Sequence, residues 1–264
     1  MENYLIAGLL GLIEGLTEFL PVSSTGHLIL FENFFGFQAP PGHTFKIMIQ
    51  LGAILALITI YFRKISSTVF GLPSDPRARH FALLIVIAFL PAAVLGVGLG
   101  SKIEQLLDMQ WVVAVALIIG GVIMLIVEQT QTKVVHRESD ALPYKTGFLI
   151  GVAQAVAMVP GVSRSGATII GGLLLGLERR AAAEFSFYLS IPTMSGAFAY
   201  SAFKHRNELS FDDAGLIAVG FVAAFIAALL VVKPFLAVVS KIGFAPFAFY
   251  RIALGTFVLV LLYF

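Results

Sequence analysis

The sequence has no cysteine and carries little charge. Without cysteine, a disulfide framework is excluded. Charged residues make up 12% of the 264 residues, about half of the roughly 25% that is usual for soluble domains. Apolar residues reach 59%, and the net charge is only +2. A soluble domain of this length could not bury so much apolar surface. The composition therefore excludes a soluble enzyme, a disordered chain and a nucleic-acid binder, and it indicates an all-α polytopic membrane protein.

Six apolar stretches are long enough to cross a bilayer, each close to the ~20 residues that a spanning helix needs. They lie at about 44–62, 81–100, 111–128, 183–203, 213–232 and 244–264. The loops between them are short and polar, and no linker is long enough to separate two domains. We therefore expect one membrane domain over residues 1–264.

Two further apolar regions are each interrupted by a proline-containing loop. Region 4–37 is broken at Pro21, and region 147–177 is broken at Pro160. The helical part 147–159 would cover roughly 20 Å, less than a ~30 Å hydrocarbon core. We interpret both regions as re-entrant helix–loop–helix hairpins, whose irregular backbone must be buried in protein or line a wet cavity.

The two hairpin regions match each other at an offset of 140 residues. The matched pairs are Gly11 and Gly151, Glu14 and Gln154, Ser23 and Ser163, and Gly26 and Gly166. Each hairpin is followed by three predicted spans, so the second half is inverted relative to the first. This pattern predicts an inverted-topology repeat, with repeat one at about 1–128 and repeat two at about 144–264.

The loop charges predict the orientation in the membrane. Most of the loop Lys and Arg residues fall on one predicted side, which includes loops 63–80 and 129–146. The positive-inside bias makes that side cytoplasmic. The mouth of the first hairpin would then face outward.

Glu14 and Glu18 lie four residues apart inside an apolar segment. This spacing puts both carboxylates on one helical face. Ionisable groups inside membrane segments are functional candidates, and a divalent cation such as Mg²⁺ or Ca²⁺ would compensate the paired charges. The alternative is an interfacial helix whose carboxylates lie in water.

The first loop carries three hydroxyl groups and a histidine, at Ser23, Ser24, Thr25 and His27. One hydroxyl could simply cap the following helix. His27 can act as acid, base or nucleophile near neutral pH, and we expect Glu18 to orient it or to bind the cation. Attack by Ser24 or by a metal-bound water is the alternative.

The second loop combines Ser163, Arg164, Ser165, Gly166 and Thr168. A membrane-buried arginine needs an anion, and its planar fork suits phosphate oxygens. The helix that follows offers free N–H groups, so the loop predicts a phosphate site. The alternative is that Arg164 pairs with Glu14 or Glu18 for structure only.

Another arginine, Arg251, lies in the last predicted span. We expect its long side chain to snorkel to the cytoplasmic surface.

Long motifs support a family resemblance. They are E-G-L-T-E-F-L-P-V-S-S-T-G-H at 14–27, P-G-V-S-R-S-G-A-T at 160–168, F-K-I-M-I-Q-L-G at 45–52 and A-E-F-S-F-Y-L-S-I-P at 183–192. The chain resembles the bacterial undecaprenyl-diphosphate phosphatases of the bacitracin-resistance type over nearly its whole length.

The resemblance implies removal of the terminal phosphate from a C55 polyprenyl diphosphate, which recycles the carrier lipid for peptidoglycan synthesis. It implies a plasma-membrane location, an active site open to the outer face and a divalent cation. It also implies functional roles for a set of motif residues, namely Glu14, Glu18, Ser24, His27, Ser163, Arg164 and Thr168. The expected partners are the lipid substrate and the bilayer, with a homodimer left open and no nucleic acid.

Two rival functions are weighed against this interpretation. A polyprenyl-phosphate transporter or flippase would also use inverted repeats with broken helices, but transport does not require a nucleophile beside a base. The type-2 phosphatidic-acid-phosphatase family uses S-R-x5-H-x3-D. Ile170 stands where that motif needs histidine after Ser163 and Arg164, which excludes it.

Overall fold

The computed structural model describes residues 2–36, 44–107, 109–130, 133–204, 206 and 214–263. Across these ranges the chain is helical and contains no strand, and its one β-type contact is an isolated bridge between His136 and Leu177. The all-α expectation is therefore confirmed. The ends of the predicted spans at residues 213 and 264 lie outside the described residues.

Eleven helices make up the described chain. They are α1 (Glu2–Thr17), α2 (Ser24–Phe35), α3 (Thr44–Ile60), α4 (Phe62–Gly71), α5 (Pro76–Leu107), α6 (Gln110–Thr130), α7 (Tyr144–Val156), α8 (Arg164–Leu174), α9 (Arg179–Lys204), α10 (Ala214–Ile242) and α11 (Ala245–Tyr263).

Four of these helices are long and apolar enough to cross a membrane, within the described residues. They are Pro76–Gly98, Gln110–Thr130, Ala214–Ile242 and Ala245–Tyr263. Helices α3 and α4 qualify only as a pair, which is bent by 74°. Predicted span 183–203 lies in α9, which is long enough but less apolar. The chain is thus a multi-pass membrane protein with four to five candidate spans.

The outward faces of the long helices are apolar. Large side chains such as Val97, Leu230 and Phe257 are more than half exposed, although they belong to the most hydrophobic segments of the chain. An apolar surface of this extent would drive a soluble protein to aggregate. Acyl chains of a bilayer are the environment that suits it.

The first helix of each broken hairpin packs closely against a long helix from the other half of the chain. Helix α1 lies along α10, and the Cα of Gly11 lies so close to the Gly220 carbonyl that no Cβ would fit between them. Helix α7 lies along α5 in the same way, with Gly151 against the Ala88 carbonyl. Small residues of this kind let helix backbones approach in membranes. The close approach fixes both loops relative to the long helices.

We predict that Gly11→Ala destabilises the protein, because the new methyl group would be forced into the Gly220 carbonyl. Overpacking of this kind typically costs roughly 1–3 kcal/mol. The effect would appear as a lower thermal unfolding temperature in detergent. Gly98→Ala is the matched control, since its Cβ would meet nothing within 4 Å. Equal unfolding temperatures for the two variants would contradict the packing argument.

Candidate functional site

The loops that break the two hairpins lie against each other. Ser165 Oγ donates a 2.7 Å hydrogen bond to the carbonyl of Leu20, across the two loops. Arg164 Nη2 lies 3.0 Å from Glu18 Oε1. The two loops therefore meet, and residues far apart in sequence lie together at one place.

The two loops also have the same turn. Ser23 and Ser163 are the only described non-glycine residues with positive φ, at 68° and 73°. Each Oγ accepts a hydrogen bond from the backbone N–H three residues on, at Gly26 (3.3 Å) and Gly166 (3.1 Å). The simple capping role considered for the hydroxyls therefore applies to these two serines. Strained backbone of this kind is concentrated at functional sites.

Glu18 joins the two loops through its carboxylate. Ser24 Oγ donates a 2.5 Å hydrogen bond to Oε2, while Arg164 occupies Oε1. The Glu18 side chain is 7% exposed and that of Arg164 is 13% exposed. The geometry thus includes the ion pair that we considered as a structural alternative, but the same carboxylate also contacts a hydroxyl group that could act as a nucleophile.

Ser186 holds the other side of the Arg164 guanidinium. Arg164 Nη1 donates to the Ser186 carbonyl at 3.1 Å, and Thr168 Oγ1 donates to Ser186 Oγ at 2.7 Å. Thr168 is 1% exposed, so its hydroxyl supports Ser186 and Arg164 from behind. From the sequence, Ser186 could line a cavity, but a serine in a membrane helix is interpreted first as an ordinary packing residue, so it was not assigned to the site.

A polar cavity of about 160 Å³ opens at the junction of the loops. Six of its lining residues were predicted as site residues, and these are Glu18, Ser23, Ser24, Thr25, Ser163 and Arg164. The other predicted residues do not line it, namely Glu14, His27, Ser165, Gly166 and Thr168. The cavity therefore brings together hydroxyl groups, one carboxylate and one guanidinium.

A larger, mainly apolar cavity of about 450 Å³ lies next to the polar one. Helices α5, α7 and α9 form its walls. Ala157, Met158 and Arg164 line both cavities. Arg164 therefore stands at the boundary between a polar and an apolar compartment.

His27 lies beside the site but contacts neither Glu18 nor the polar cavity. Its Nδ1 donates to the Ser23 carbonyl at 2.8 Å, because a carbonyl can only accept. Its Nε2 then accepts from the Tyr250 hydroxyl at 2.6 Å. The expectation that Glu18 orients His27 is wrong: Ser24 begins α2 next to Glu18, whereas His27 lies one turn further along and packs against α11.

Arg251 is fully buried, so the expectation that it snorkels to the surface is wrong. Its guanidinium donates to the carbonyl of Pro21 in the first loop at 3.1 Å, and to the carbonyls of Gly161 and Val162 in the second at 3.1 and 2.9 Å. Arg251 thereby connects both loops to α11. The only sequence signal for this contact was the presence of an arginine inside an apolar segment.

Glu14 is buried one helical turn before Glu18. It is 0% exposed, and neither of its carboxylate oxygens has a hydrogen-bond partner within the described part of the chain. Two orphaned oxygens beside a second carboxylate fit a divalent cation. No cluster of three or more His, Cys, Asp or Glu is present among those residues. The two carboxylates of Glu14 and Glu18 nevertheless fit Mg²⁺, because Mg²⁺ binds proteins through one or two carboxylates and completes its shell with substrate phosphate and water.

Known proteins resemble this chain over nearly its whole length. A family model described as "Bacitracin resistance protein BacA" matches residues 7–257. An undecaprenyl-diphosphatase from Rhodopseudomonas palustris (strain BisA53) is 51% identical over 263 residues, which is 99% of this chain and 98% of that protein. Undecaprenyl-diphosphatase 2 from Paramagnetospirillum magneticum is 52% identical over 255 residues, covering 96% and 97% of the two chains.

A further relative is similar over the whole chain. An undecaprenyl-diphosphatase from Caulobacter vibrioides (strain NA1000 / CB15N) is 50% identical over 264 residues, covering 100% of this chain and 99% of that protein. The resemblance that the loop motifs indicated is thereby confirmed. A match over nearly the whole length, with both loops included, shows that the chain belongs to the bacitracin resistance protein BacA family.

Proposed function

We propose that this membrane enzyme hydrolyses undecaprenyl diphosphate to undecaprenyl phosphate and inorganic phosphate, which recycles the carrier lipid for peptidoglycan synthesis. The observation that carries the proposal is the buried contact of Glu18 with both Ser24 and Arg164. This contact places the Ser24 hydroxyl as a nucleophile, the Glu18 carboxylate as a base and the Arg164 guanidinium as a phosphate-binding group at one cavity. The names of relatives about 50% identical over the whole chain support the same reaction.

The two adjoining cavities suit a lipid diphosphate. The polar cavity offers hydroxyl groups and a guanidinium to phosphate oxygens, and the apolar cavity offers a surface for an isoprenoid chain. Arg164 lines both cavities, so a substrate whose phosphates lie near Arg164 could extend its lipid chain into the apolar compartment. A water-soluble phosphate ester would leave that compartment unfilled.

Ser24 is our proposed nucleophile. As its Oγ bonds to the terminal phosphorus, the bond from that phosphorus to the bridging oxygen breaks, and undecaprenyl phosphate leaves. Glu18, which already accepts the Ser24 hydrogen bond, takes the serine proton. Water then hydrolyses the phosphoserine and releases inorganic phosphate. The preference for His27 that the sequence suggested is replaced because both ring nitrogens of His27 have other partners.

Arg164 is proposed to bind the phosphoryl group during transfer. Its guanidinium is oriented by Glu18 and Ser186, and so its position is set before substrate enters. Preorganised donors of this kind stabilise the charge that develops on the transferring oxygens. Ser23, Thr25 and Ser163 add hydroxyl groups on the walls of the cavity.

A divalent cation, Mg²⁺ or Ca²⁺, is proposed to bind at Glu14 and Glu18. When bound, such a cation neutralises phosphate charge and polarises the phosphorus–oxygen bonds. The unpartnered oxygens of Glu14 support this assignment. Two carboxylates and a diphosphate bring more negative charge to this buried site than the nearby cations Arg164, Lys46 and Arg251 balance.

The finer membrane layout is also a proposal. We propose two re-entrant hairpins and six spanning segments in an inverted repeat. The matching turns at Ser23 and Ser163 support this layout, as does the packing of α1 and α7 against a long helix of the opposite half, α10 and α5 respectively. The positive-inside bias supports an active site open to the outer face of the bacterial plasma membrane. A homodimer stays a prediction.

We predict that the purified protein releases inorganic phosphate from undecaprenyl diphosphate in detergent, and that Ser24→Ala lowers this rate by ~10²-fold or more, because the nucleophile is lost. An acid-stable phosphoserine should be trapped by rapid quenching of the unmodified protein. Ser240→Ala, which removes a hydroxyl group on α10 away from the site, is the control. A phosphohistidine would return the role to His27, and the absence of phosphate release would favour a transporter or flippase.

Arg164→Lys should lower kcat/KM by ~10²-fold or more, because lysine keeps the charge but loses the planar fork. Steady-state phosphate release measures this change. Arg180→Lys is the matched control, since Arg180 is exposed and pairs with Glu184 one turn away. Near-normal turnover in the Arg164 variant would assign that residue to a structural ion pair.

Removal of divalent cations with excess EDTA should abolish turnover, and Mg²⁺ or Ca²⁺ should restore it. Glu14→Gln should weaken the apparent affinity for added Mg²⁺ by roughly tenfold or more. Mutation of a residue that only hydrogen-bonds to a metal ligand already lowers metal affinity by that factor, and Glu14 is proposed as a ligand itself. Glu184→Gln, at a partly buried position of α9 where the carboxylate pairs with Arg180, should leave the Mg²⁺ titration unchanged. Full activity in excess chelator would refute the cation assignment.

A further inference from the structure

Two buried hydrogen-bond donors at the inner end of the apolar cavity have no partner. Gln154 is 2% exposed, and its Nε2 makes no hydrogen bond within the described residues. The Nε of Arg164 is likewise buried and unpaired. Both side chains line the apolar cavity. Unmade hydrogen bonds in an apolar site destabilise a protein, so the pair indicates a bound acceptor.

The orphaned donor does not depend on how the Gln154 amide is turned. Thr193 Oγ1 lies 3.3 Å from the amide oxygen and donates its proton mainly to the Leu189 carbonyl at 2.8 Å. If the amide were flipped, its nitrogen would donate one N–H to Thr193. The second N–H would still have no acceptor, because an amide nitrogen carries two hydrogens.

The position of Gln154 corresponds to that of Glu14 in the other half of the chain. Both side chains are buried, both have unpartnered polar atoms, and they are matched at the offset of 140 residues. Glu14 offers orphaned acceptors, which suit a cation. Gln154 offers orphaned donors, which suit an anion and add no charge of their own. The two halves thus offer opposite hydrogen-bonding polarity at equivalent positions.

We propose that Gln154, together with Arg164 Nε, binds the phosphate that remains on the lipid after cleavage. This inference rests on the proposed function. The lipid chain enters through the apolar cavity, so the phosphate attached to it reaches Gln154 and Arg164 first. The terminal phosphate then lies further on, in the polar cavity with Ser24 and Glu18. Gln154 is therefore a substrate-binding residue that recognises a phosphate joined to an apolar chain.

The assignment predicts a selective loss of affinity in Gln154→Met, which keeps the length of the side chain but removes its donors. In detergent, the KM for undecaprenyl diphosphate should rise roughly tenfold, as expected for a lost hydrogen bond to a charged group. The inhibition constant for undecaprenyl phosphate should rise by the same factor. Inhibition by inorganic phosphate, which should bind in the polar cavity, should not change. Gln154→Glu should show a larger loss, because its carboxylate repels phosphate.

Gln129→Met is the matched control, since it makes the same substitution at an exposed position near the end of α6, and it should retain the normal KM. A Gln154→Met variant with unchanged constants, or one that weakens both inhibitors equally, would overturn the inference. Direct binding of undecaprenyl phosphate, measured by calorimetry with unmodified protein and Gln154→Met, separates the two proposals. If the unmodified protein binds undecaprenyl phosphate tenfold more tightly than Gln154→Met does, the subsite is supported even if the protein releases no phosphate. The lack of phosphate release would then refute only the proposed reaction.

Discussion

The site depends on a buried arginine whose described hydrogen bonds all go to backbone carbonyls. Burial of a charge is costly unless hydrogen bonds compensate it. Arg251 is compensated by carbonyls of the two loops and by those of Ala116 and Leu117 in α6. These loop carbonyls have in turn left helical geometry and need donors at membrane depth. Arg251 and the broken hairpins therefore stabilise each other, and the position of every catalytic candidate follows from that contact.

With the loops held in this way, the polar groups are linked across the site. Glu14 is fully buried one turn before Glu18, Glu18 bridges Ser24 and Arg164, and Arg164 lines the apolar cavity together with Gln154. The proposed cation ligands, Glu14 and Glu18, are thus joined through Glu18 to the proposed phosphate donors, Arg164 and Gln154. A diphosphate carries both requirements in one molecule, because its oxygens bind donors and its charge attracts a cation.

The sequence predicted most of this site because its unusual features are local. Proline and glycine within apolar runs predicted the two breaks, and the charged residues inside those runs predicted Glu18 and Arg164. Arg251 and Tyr250 could not be predicted in this way: an arginine near the end of an apolar segment is equally compatible with snorkelling, and only tertiary packing brings α11 to the loops. The choice of Ser24 over His27 likewise depends on which helix each side chain faces. The bend after Ile60 has no comparable local signal.

The position of Arg251 also determines when the site can assemble during synthesis. It follows Pro21 by 230 residues and Gly161 by 90. While the intervening helices are made and inserted, the carbonyls of both loops lack the donor that finally holds them. Contacts of such long sequence separation form late, since their closure entropy must first be overcome. A nascent chain that has not yet inserted α11 thus has both loop motifs without the residue that holds them together, and the polar cavity between the loops is completed in one late step.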